Sequence, residues 1–295
     1  MQSFDYQKVY SLQDALEAVS ASKGISVFMA GGTDLLVQIK EGKIRPQCVV
    51  DVKGIHEMDG LATSGDVLSI GSLTRIRTLE TSPSTLERVP LLAQAAAKLG
   101  SVQVRHRATI GGNVCNASPS AETAPALLAL DAQAVICGKA GTRVVELTDF
   151  FLGPGATVLS NGEMLTHLKI PLTRNRQGSV YYKLSTRKAM DLAFVGVAVL
   201  LELGRGDQIS KARIALGAVA PTPIRVPSAE KLLKGIVLDL DAARECAELA
   251  AQSCKPISDL RASAEYRREM VRQLCEQGLL TAYRQAKSLI EGNNE

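Results

Sequence analysis

Two Gly-Gly pairs set about eighty residues apart constrain this chain more than any other feature. The first lies in Phe28-Met29-Ala30-Gly31-Gly32-Thr33-Asp34-Leu35-Leu36, the second in Ala108-Thr109-Ile110-Gly111-Gly112-Asn113-Val114-Cys115-Asn116-Ala117-Ser118-Pro119. Each combines glycines, which let backbone N–H groups approach an anion closely, with small hydroxyl or amide side chains that complete its hydrogen bonds. One such cluster is ordinarily a turn. Two of them, almost without positive charge, point to a dinucleotide held by neutral groups.

Bulk properties narrow the setting. A chain of 295 residues has room for one large or two modest domains. The net charge of +4 is small, Lys and Arg are scattered, and only 4% of residues are aromatic, none of them Trp. A nucleic-acid reader would carry a basic stripe, so that class is set aside. No apolar run is long enough to span a bilayer, and the first residues lack a secretion pattern; a cytoplasmic protein with no membrane span is expected. The six cysteines are dispersed with no C-x-x-C pair, and the three histidines are far apart. We expect free thiols and no metal in this chain.

Hydrophobic spacing divides the chain. Tyr6–Tyr10 reads as an edge strand, Ser11 as the cap of a helix with Leu12, Ala15, Leu16 and Val19 on one stripe, and Ile25–Ala30 as a strand running into the first glycine pair. A short helix should start near Thr33, and residues 48–52 form a second buried strand. Strands follow at 67–71, 134–137, 143–146 and 164–170, with helices at 74–80, from Pro90 to Gly100, and at 125–131. The polar stretch Thr173–Gly178 reads as a linker. Beyond it come three long strands (179–185, 195–203, 209–219), helices near 228–233 and 239–251, and a last helix over 263–290. Strands first and helices afterwards predict an α+β unit with a three-stranded antiparallel sheet. The expected domains are 1–173, with subdomains of about 1–55 and 56–173, and 178–290.

Standard one-loop sites are excluded. G-x-G-x-x-G is absent at both pairs, Gly-Lys-Ser/Thr is missing, and there is no nucleophile elbow or catalytic triad pattern. No catalytic acid–base residue is assigned. A two-loop clamp fits better: a flavin dinucleotide gripped at its pyrophosphate, with Thr33, Thr109, Asn113 and Ser118 as uncharged partners.

The ordered motifs Ala30-Gly31-Gly32-Thr33-Asp34-Leu35, Thr109-Ile110-Gly111-Gly112-Asn113, Ser118-Pro119 and Pro125–Ala132 resemble the FAD-binding medium subunit of the molybdenum hydroxylases, the family of xanthine dehydrogenase and aerobic carbon monoxide dehydrogenase. Tyr182-Lys183-Leu184, Met190–Ala193, Ala218–Arg225 and the D-x-R-x-S-x-x-Y-R pattern from Asp259 to Arg267 extend the resemblance almost end to end. It implies a two-subdomain FAD-binding module of the p-cresol-methylhydroxylase/vanillyl-alcohol-oxidase (PCMH) type and a carbon monoxide dehydrogenase flavoprotein-like C-terminal domain. It also implies non-covalent FAD, with the molybdenum cofactor on a large partner subunit and [2Fe–2S] clusters on a small one, as a dimer of heterotrimers that passes electrons to an acceptor such as NAD.

By the same resemblance, Met29 to Leu36 wrap the pyrophosphate and ribityl region, and Leu99 and Gly100 pack on the adenosine portion. Thr109, Gly111, Gly112 and Asn113 meet the pyrophosphate and ribityl groups, with Cys115, Asn116 and Ser118 in the same cluster. Glu122, where the family usually has Asp, together with Leu165 and Lys183, lies near the cofactor, and the Lys183 charge would favour an anionic flavin. His106 replaces the family's usual Asn and reads as a solvent-facing loop residue. Cys115 reads as a small filler rather than a redox thiol, Asp34 equally as a loop-fixing or cofactor residue, and Tyr266-Arg267-Arg268 as helix surface or a partner contact. Thr33-Asp34 favours purine or N-heterocycle hydroxylases over carbon monoxide dehydrogenases. A carbon monoxide dehydrogenase medium subunit, a partnerless FAD-binding scaffold and a stand-alone flavin oxidase are the alternatives.

Overall fold

The first helix begins where its sequence says it should. Ser11 Oγ accepts the Asp14 N–H at 3.1 Å, which satisfies one of the donors left free in an opening turn. The structure, a computed structural model, describes residues 3–22, 24–173 and 176–288. Helix α1 (Leu12–Ala21) buries Ala15, Leu16 and Val19 and links β1 (Asp5–Lys8) to β2 (Ser26–Met29). Helix α2 (Leu35–Lys40) precedes β3 (Cys48–Asp51), and the three strands form a parallel sheet in the order β1-β3-β2. The first glycine pair thus falls just past the end of β2, where ligands of such sheets gather.

A second, antiparallel sheet is ordered β4-β5-β10-β6-β7, from β4 (Leu61–Ser64), β5 (Val67–Gly71), β6 (Gln133–Gly138), β7 (Gly141–Glu146) and β10 (Met164–Pro171). The small pair β8 (Phe151–Gly153) and β9 (Ala156–Thr157) lies between β7 and β10. Between β5 and β6 the chain makes six helices: α3 (Ile76–Thr81), α4 (Pro83–Arg88), α5 (Pro90–Ala97), α6 (Val102–Arg105), α7 (Ile110–Cys115) and α8 (Thr123–Ala129). Leu68, Ile70, Leu168 and Ile170 of the sheet pack with Leu91, Leu92, Ile110 and Leu127 of the helices in one fully buried core; each such side chain contributes roughly 2 kcal/mol on burial.

The third sheet is ordered β11-β12-β13-β14: β11 (Arg176–Leu184), β12 (Val195–Leu203), β13 (Ile209–Gly217) and β14 (Ile224–Arg225). Strand alternation splits its side chains between two cores. Ala198 and Leu200 join the core of α5 and α8, whereas Val197, Val199 and Leu201 face the helices α10 (Leu240–Gln252) and α11 (Ala264–Ser288). A shorter helix, α9 (Pro227–Leu233), precedes them. All nine residues of β12 are therefore buried, and the sequence shows a continuous apolar run there.

Some expectations change. The C-terminal sheet has a fourth strand, the two-residue β14, because Ile224 and Arg225 pair with Leu216 and Ala215. The polar stretch read as a linker is partly strand, since β11 starts at Arg176, paired with Leu203; Arg174 and Asn175 lie outside the described residues, as do Leu289 and Ile290 of the last helix. Residues 102–105 form the short helix α6, and the second glycine cluster, read as a loop, forms the helix α7 over Ile110–Cys115. Arg267 is no surface residue. It is 4% exposed, donates to Ala218 O at 2.9 Å and reaches Asp259 at 2.8 Å, so the Asp259–Arg267 motif is an internal clamp.

A second ionic group holds the sheets together. The Asp131 carboxylate, beside α8, receives Arg213 at 2.8 Å, Lys211 at 2.9 Å and Arg225 at 2.9 Å. Burial opposes its ionisation, but these hydrogen bonds and charges prevail and hold its pKa at about 2.

Candidate functional site: a cleft between the glycine segments

The first glycine segment is a tight turn. Gly32 takes φ +72°, the left-handed region that glycine enters without strain, and its carbonyl accepts the Leu36 N–H to start α2. Gly31 has a different task. A Cβ there would stand 2.2 Å from Arg107 O, so only glycine lets this turn lie against the chain entering the second segment. Among the described residues, the backbone N–H groups of Gly31, Gly32, Thr33, Asp34 and Leu35 find no acceptor within the protein. An uninterrupted series of unspent donors in a concave turn is a cradle for an anion.

The second segment is built differently from the loop its glycines suggested. Thr109 Oγ1 accepts the Gly112 N–H at 3.1 Å and caps the six-residue helix α7. The N–H groups of Ile110 and Gly111 go to Thr74 O and Ser72 O, at 2.9 and 2.8 Å, and that of Asn113 to Thr109 O at 3.0 Å. Gly111 is a packing glycine, since its Cβ would fall 2.5 Å from Ser72 Cβ. At Gly112 a Cβ would meet only Thr109 Oγ1, at 3.0 Å. The backbone donors here are thus consumed, and what remains for a ligand is side-chain chemistry. Asn113 accepts from Thr123, Asn116 accepts from Gln38 at 3.2 Å, and Ser118 accepts from the Ser120 N–H at 3.3 Å, leaving two amide NH2 groups and a hydroxyl proton for donation.

Between the two segments lies a cleft of about 600 Å³, the size of a cofactor site. It brings together Ala30, Gly31, Gly32, Thr33, Asp34 and Leu35 with Leu99, Gly100, Thr109, Gly111, Gly112, Asn113, Cys115, Asn116, Ser118, Glu122 and Leu165. Met29, Leu36 and Lys183 are outside its lining. The Lys183 ammonium points elsewhere, donating to Glu122 Oε1 at 2.7 Å, Lys98 O at 3.0 Å and Asp191 O at 2.7 Å. His106 is exposed at the end of α6.

Sequence reasoning missed the apolar walls. Phe28, Val52, Met58, Leu73 and Met164 line the side toward the parallel sheet, and Met190, Asp191 and Leu192 arrive from the turn between β11 and β12. Their spacing is that of ordinary strand and loop residues, and only the turn 190–192 carried a motif.

Among the described residues no Lys, Arg or His lines the cleft, whereas Asp34, Glu122, Glu163 and Asp191 do. Glu163 is held by Arg143 at 2.8 Å, Asp191 by the Arg187 and Leu192 N–H groups, and Glu122 by Lys183. The Asp34 carboxylate has no hydrogen-bond or ionic partner among the described residues, and desolvation raises its pKa. Burial likewise raises Glu122, against the pull of Lys183. Burial pushes the Cys115 thiol up to about 12, so it is an unreactive thiol at neutral pH.

The molecule thus combines an anion cradle at a strand end, a long partly apolar cleft and a second α+β unit packed behind it. Residues 2–173 match the family described as the FAD binding domain in molybdopterin dehydrogenase, and residues 180–282 match the CO dehydrogenase flavoprotein C-terminal domain. The glyceraldehyde dehydrogenase medium chain of Sulfolobus acidocaldarius is 32% identical over 92% of this chain and 95% of its own. The xanthine dehydrogenase FAD-binding subunit of Escherichia coli O157:H7 is 33% identical over 91% and 92%. A crystallised carbon monoxide dehydrogenase from Hydrogenophaga pseudoflava, lacking the Mo-pyranopterin moiety of its molybdenum cofactor, contains a chain that superposes with a TM-score of 0.93 at 32% identity, covering 96% of this chain and 98% of that one. The chain belongs to the FAD-binding medium subunits of the molybdenum hydroxylases.

Proposed function

We propose that this chain is the electron-exit subunit of a purine- or N-heterocycle-hydroxylating complex, and that FAD lies along the cleft with its pyrophosphate on the turn 31–35. The observation that carries this reading is the series of unspent N–H donors from Gly31 to Leu35. A diphosphate suits these donors, because a cleft with no cationic side chain among its described lining residues stabilises it through oriented dipoles. Thr109, Asn113, Asn116 and Ser118 supply side-chain donors from the opposite wall, and Leu99, Leu165, Met190 and Leu192 shield the ligand from water. Bound FAD would supply two-electron acceptance and stepwise release, chemistry that none of the protein's own groups provides.

In this reading the electrons come from [2Fe–2S] clusters on a small partner, which receive them from a molybdenum-bearing large partner, in a cytoplasmic dimer of heterotrimers. The acceptor is a diffusing carrier such as NAD. Among the described residues no helix is long and apolar enough to cross a membrane. The Thr33-Asp34 turn favours a purine or N-heterocycle substrate for the complex. Carbon monoxide oxidation is the second reading, supported by the likeness to the Hydrogenophaga enzyme.

The first test is the visible spectrum of the purified chain, followed by acid release of its chromophore. Released FAD with no iron or molybdenum absorbance supports the assignment; a colourless chain that also fails to take up added FAD opposes it. Turnover of purines, nicotinate and carbon monoxide by the assembled complex then separates the substrate readings, and turnover of carbon monoxide alone overturns the first.

A further inference from the structure

The turn of residues 185–192 leaves the sheet that β11 and β12 belong to and lies on the FAD-binding part of the chain. Met190 N–H donates to Gly100 O at 3.2 Å, and Met190, Asp191 and Leu192 complete the cleft wall. The segment has little core of its own. Met190 is 57% and Leu192 49% exposed, and Met190 takes φ +55°, a left-handed conformation that strains a side-chain-bearing residue. Its internal order comes from Asp191, whose carboxylate accepts the N–H groups of Arg187 at 2.8 Å and Leu192 at 3.0 Å.

One side chain fastens this strap. The Lys183 ammonium spends its donors on three parts of the fold: the end of α5 at Lys98 O, the cleft wall at Glu122, and the strap at Asp191 O. Its side chain is 5% exposed and that of Glu122 8%. Such a pair cannot lose one member without leaving a desolvated charge behind.

We propose that Lys183 is a positioning residue, an ammonium latch that ties the strap 185–192 to the Glu122 wall and so holds the cleft closed around its ligand. Without the latch the strap keeps one backbone bond to the FAD-binding part, Met190 N–H to Gly100 O, and its strained turn favours release. The fastening itself stands on the three bonds. Its bearing on flavin retention rests on the FAD reading above.

Trypsin reads the strap directly, because Arg187 and Lys188 are exposed cleavage sites on it. The full chain is digested with and without FAD as wild type, Lys183→Met, Lys183→Arg and Glu122→Gln. Mass spectrometry compares cutting at 187/188 with cutting elsewhere, and fluorescence follows flavin release. Lys183→Met should be cut about tenfold faster at 187/188 with other sites unchanged, and should lose FAD about tenfold faster. Lys183→Arg, which keeps the charge, and Glu122→Gln, which keeps an acceptor oxygen, should fall between. Equal cutting in wild type and Lys183→Met, or acceleration at all sites alike, overturns the latch. If Lys183→Met does not fold, Glu122→Gln decides by the same comparison. A wild type that binds no FAD overturns the FAD reading, while the flavin-free digests still judge the latch.

Discussion

Gly31 and Arg107 meet backbone to backbone: the place a Cβ would occupy on Gly31 is 2.2 Å from the Arg107 carbonyl oxygen and 2.9 Å from Ala108 Cα. Contact between these distant segments sets the spacing of the cleft walls. Gly31→Ala should therefore destabilise the fold by about 2 kcal/mol, the range of an overpacked core, and lose flavin as a consequence. Gly112→Val should behave in the opposite order, keeping its thermal midpoint within a few degrees yet losing flavin, because its side chain enters open cleft space. Calorimetry and flavin content on both variants check the pair. Full flavin occupancy in Gly112→Val would move the ligand away from α7.

Asp131 carries a pH dependence whose sign is fixed by its partners. Its folded pKa of about 2 lies below the unfolded value of 3.8. Its stabilisation is present above pH 4 and is lost as the pH falls from about 4 to 2. Allowing for solvent screening at this half-buried group, about 1 kcal/mol should disappear across that window. Urea melts at pH 7 and pH 3 on wild type and Asp131→Asn measure it, and the difference between the two proteins should shrink at the lower pH. A constant difference would mean that the carboxylate is not the source.

Arg267→Met should cost about 3 kcal/mol, because a methionine of similar length leaves the buried Ala218 carbonyl without its donor and removes the guanidinium that pairs with Asp259. The loop that Asp259 organises through the Arg261 and Ala262 N–H groups should loosen at the same time. Hydrogen exchange at residues 257–263 reads this locally. Unchanged protection there would separate the arginine from the loop.

The Asp34 carboxylate has no hydrogen-bond or ionic partner among the described residues, and its ionised form and the proposed diphosphate repel each other. Protonation or removal of its charge should strengthen flavin binding. Asp34→Asn should bind FAD about fivefold more tightly at neutral pH, roughly 1 kcal/mol for a screened charge pair, and wild-type affinity should rise toward the mutant's as the pH is lowered. Fluorescence titration at several pH values tests both. Weaker binding in Asp34→Asn would show that the carboxylate holds the ligand instead of repelling it.

Much of this was legible in sequence because local chemistry announced it. Ser11 lies one residue before a helix and caps it with its side chain, a helix follows Asp239, and the Gly31-Gly32 turn follows its strand as the apolar run foretold. What was hidden depended on distant partners. Gly111 and Gly112 disfavour a helix on propensity, yet Thr109 and the Ser72 carbonyl impose one. The surface-like string Tyr266-Arg267-Arg268 conceals a buried cation, since nothing in it shows that Ala218 O and Asp259 wait across the fold. Phe28 and Met58 read as plain core until the cleft opens beside them. Lys183 was expected beside the cofactor, but it lies outside the cleft lining, and its sequence position could not reveal that its donors are engaged within the protein.

The cleft borrows its walls from segments around residues 27–38, 52–58, 72–73, 99–122, 159–165 and 190–192, which no single stretch of chain could supply. A ligand there touches all of them and none of their unfolded forms, so it adds stability by mass action, about 2.7 kcal/mol at a hundredfold excess over its dissociation constant. Flavin colour would then serve as a reporter of completed assembly: a chain with one lobe misfolded would be pale before it lost measurable secondary structure, and a yellow preparation would certify that all of these segments had met.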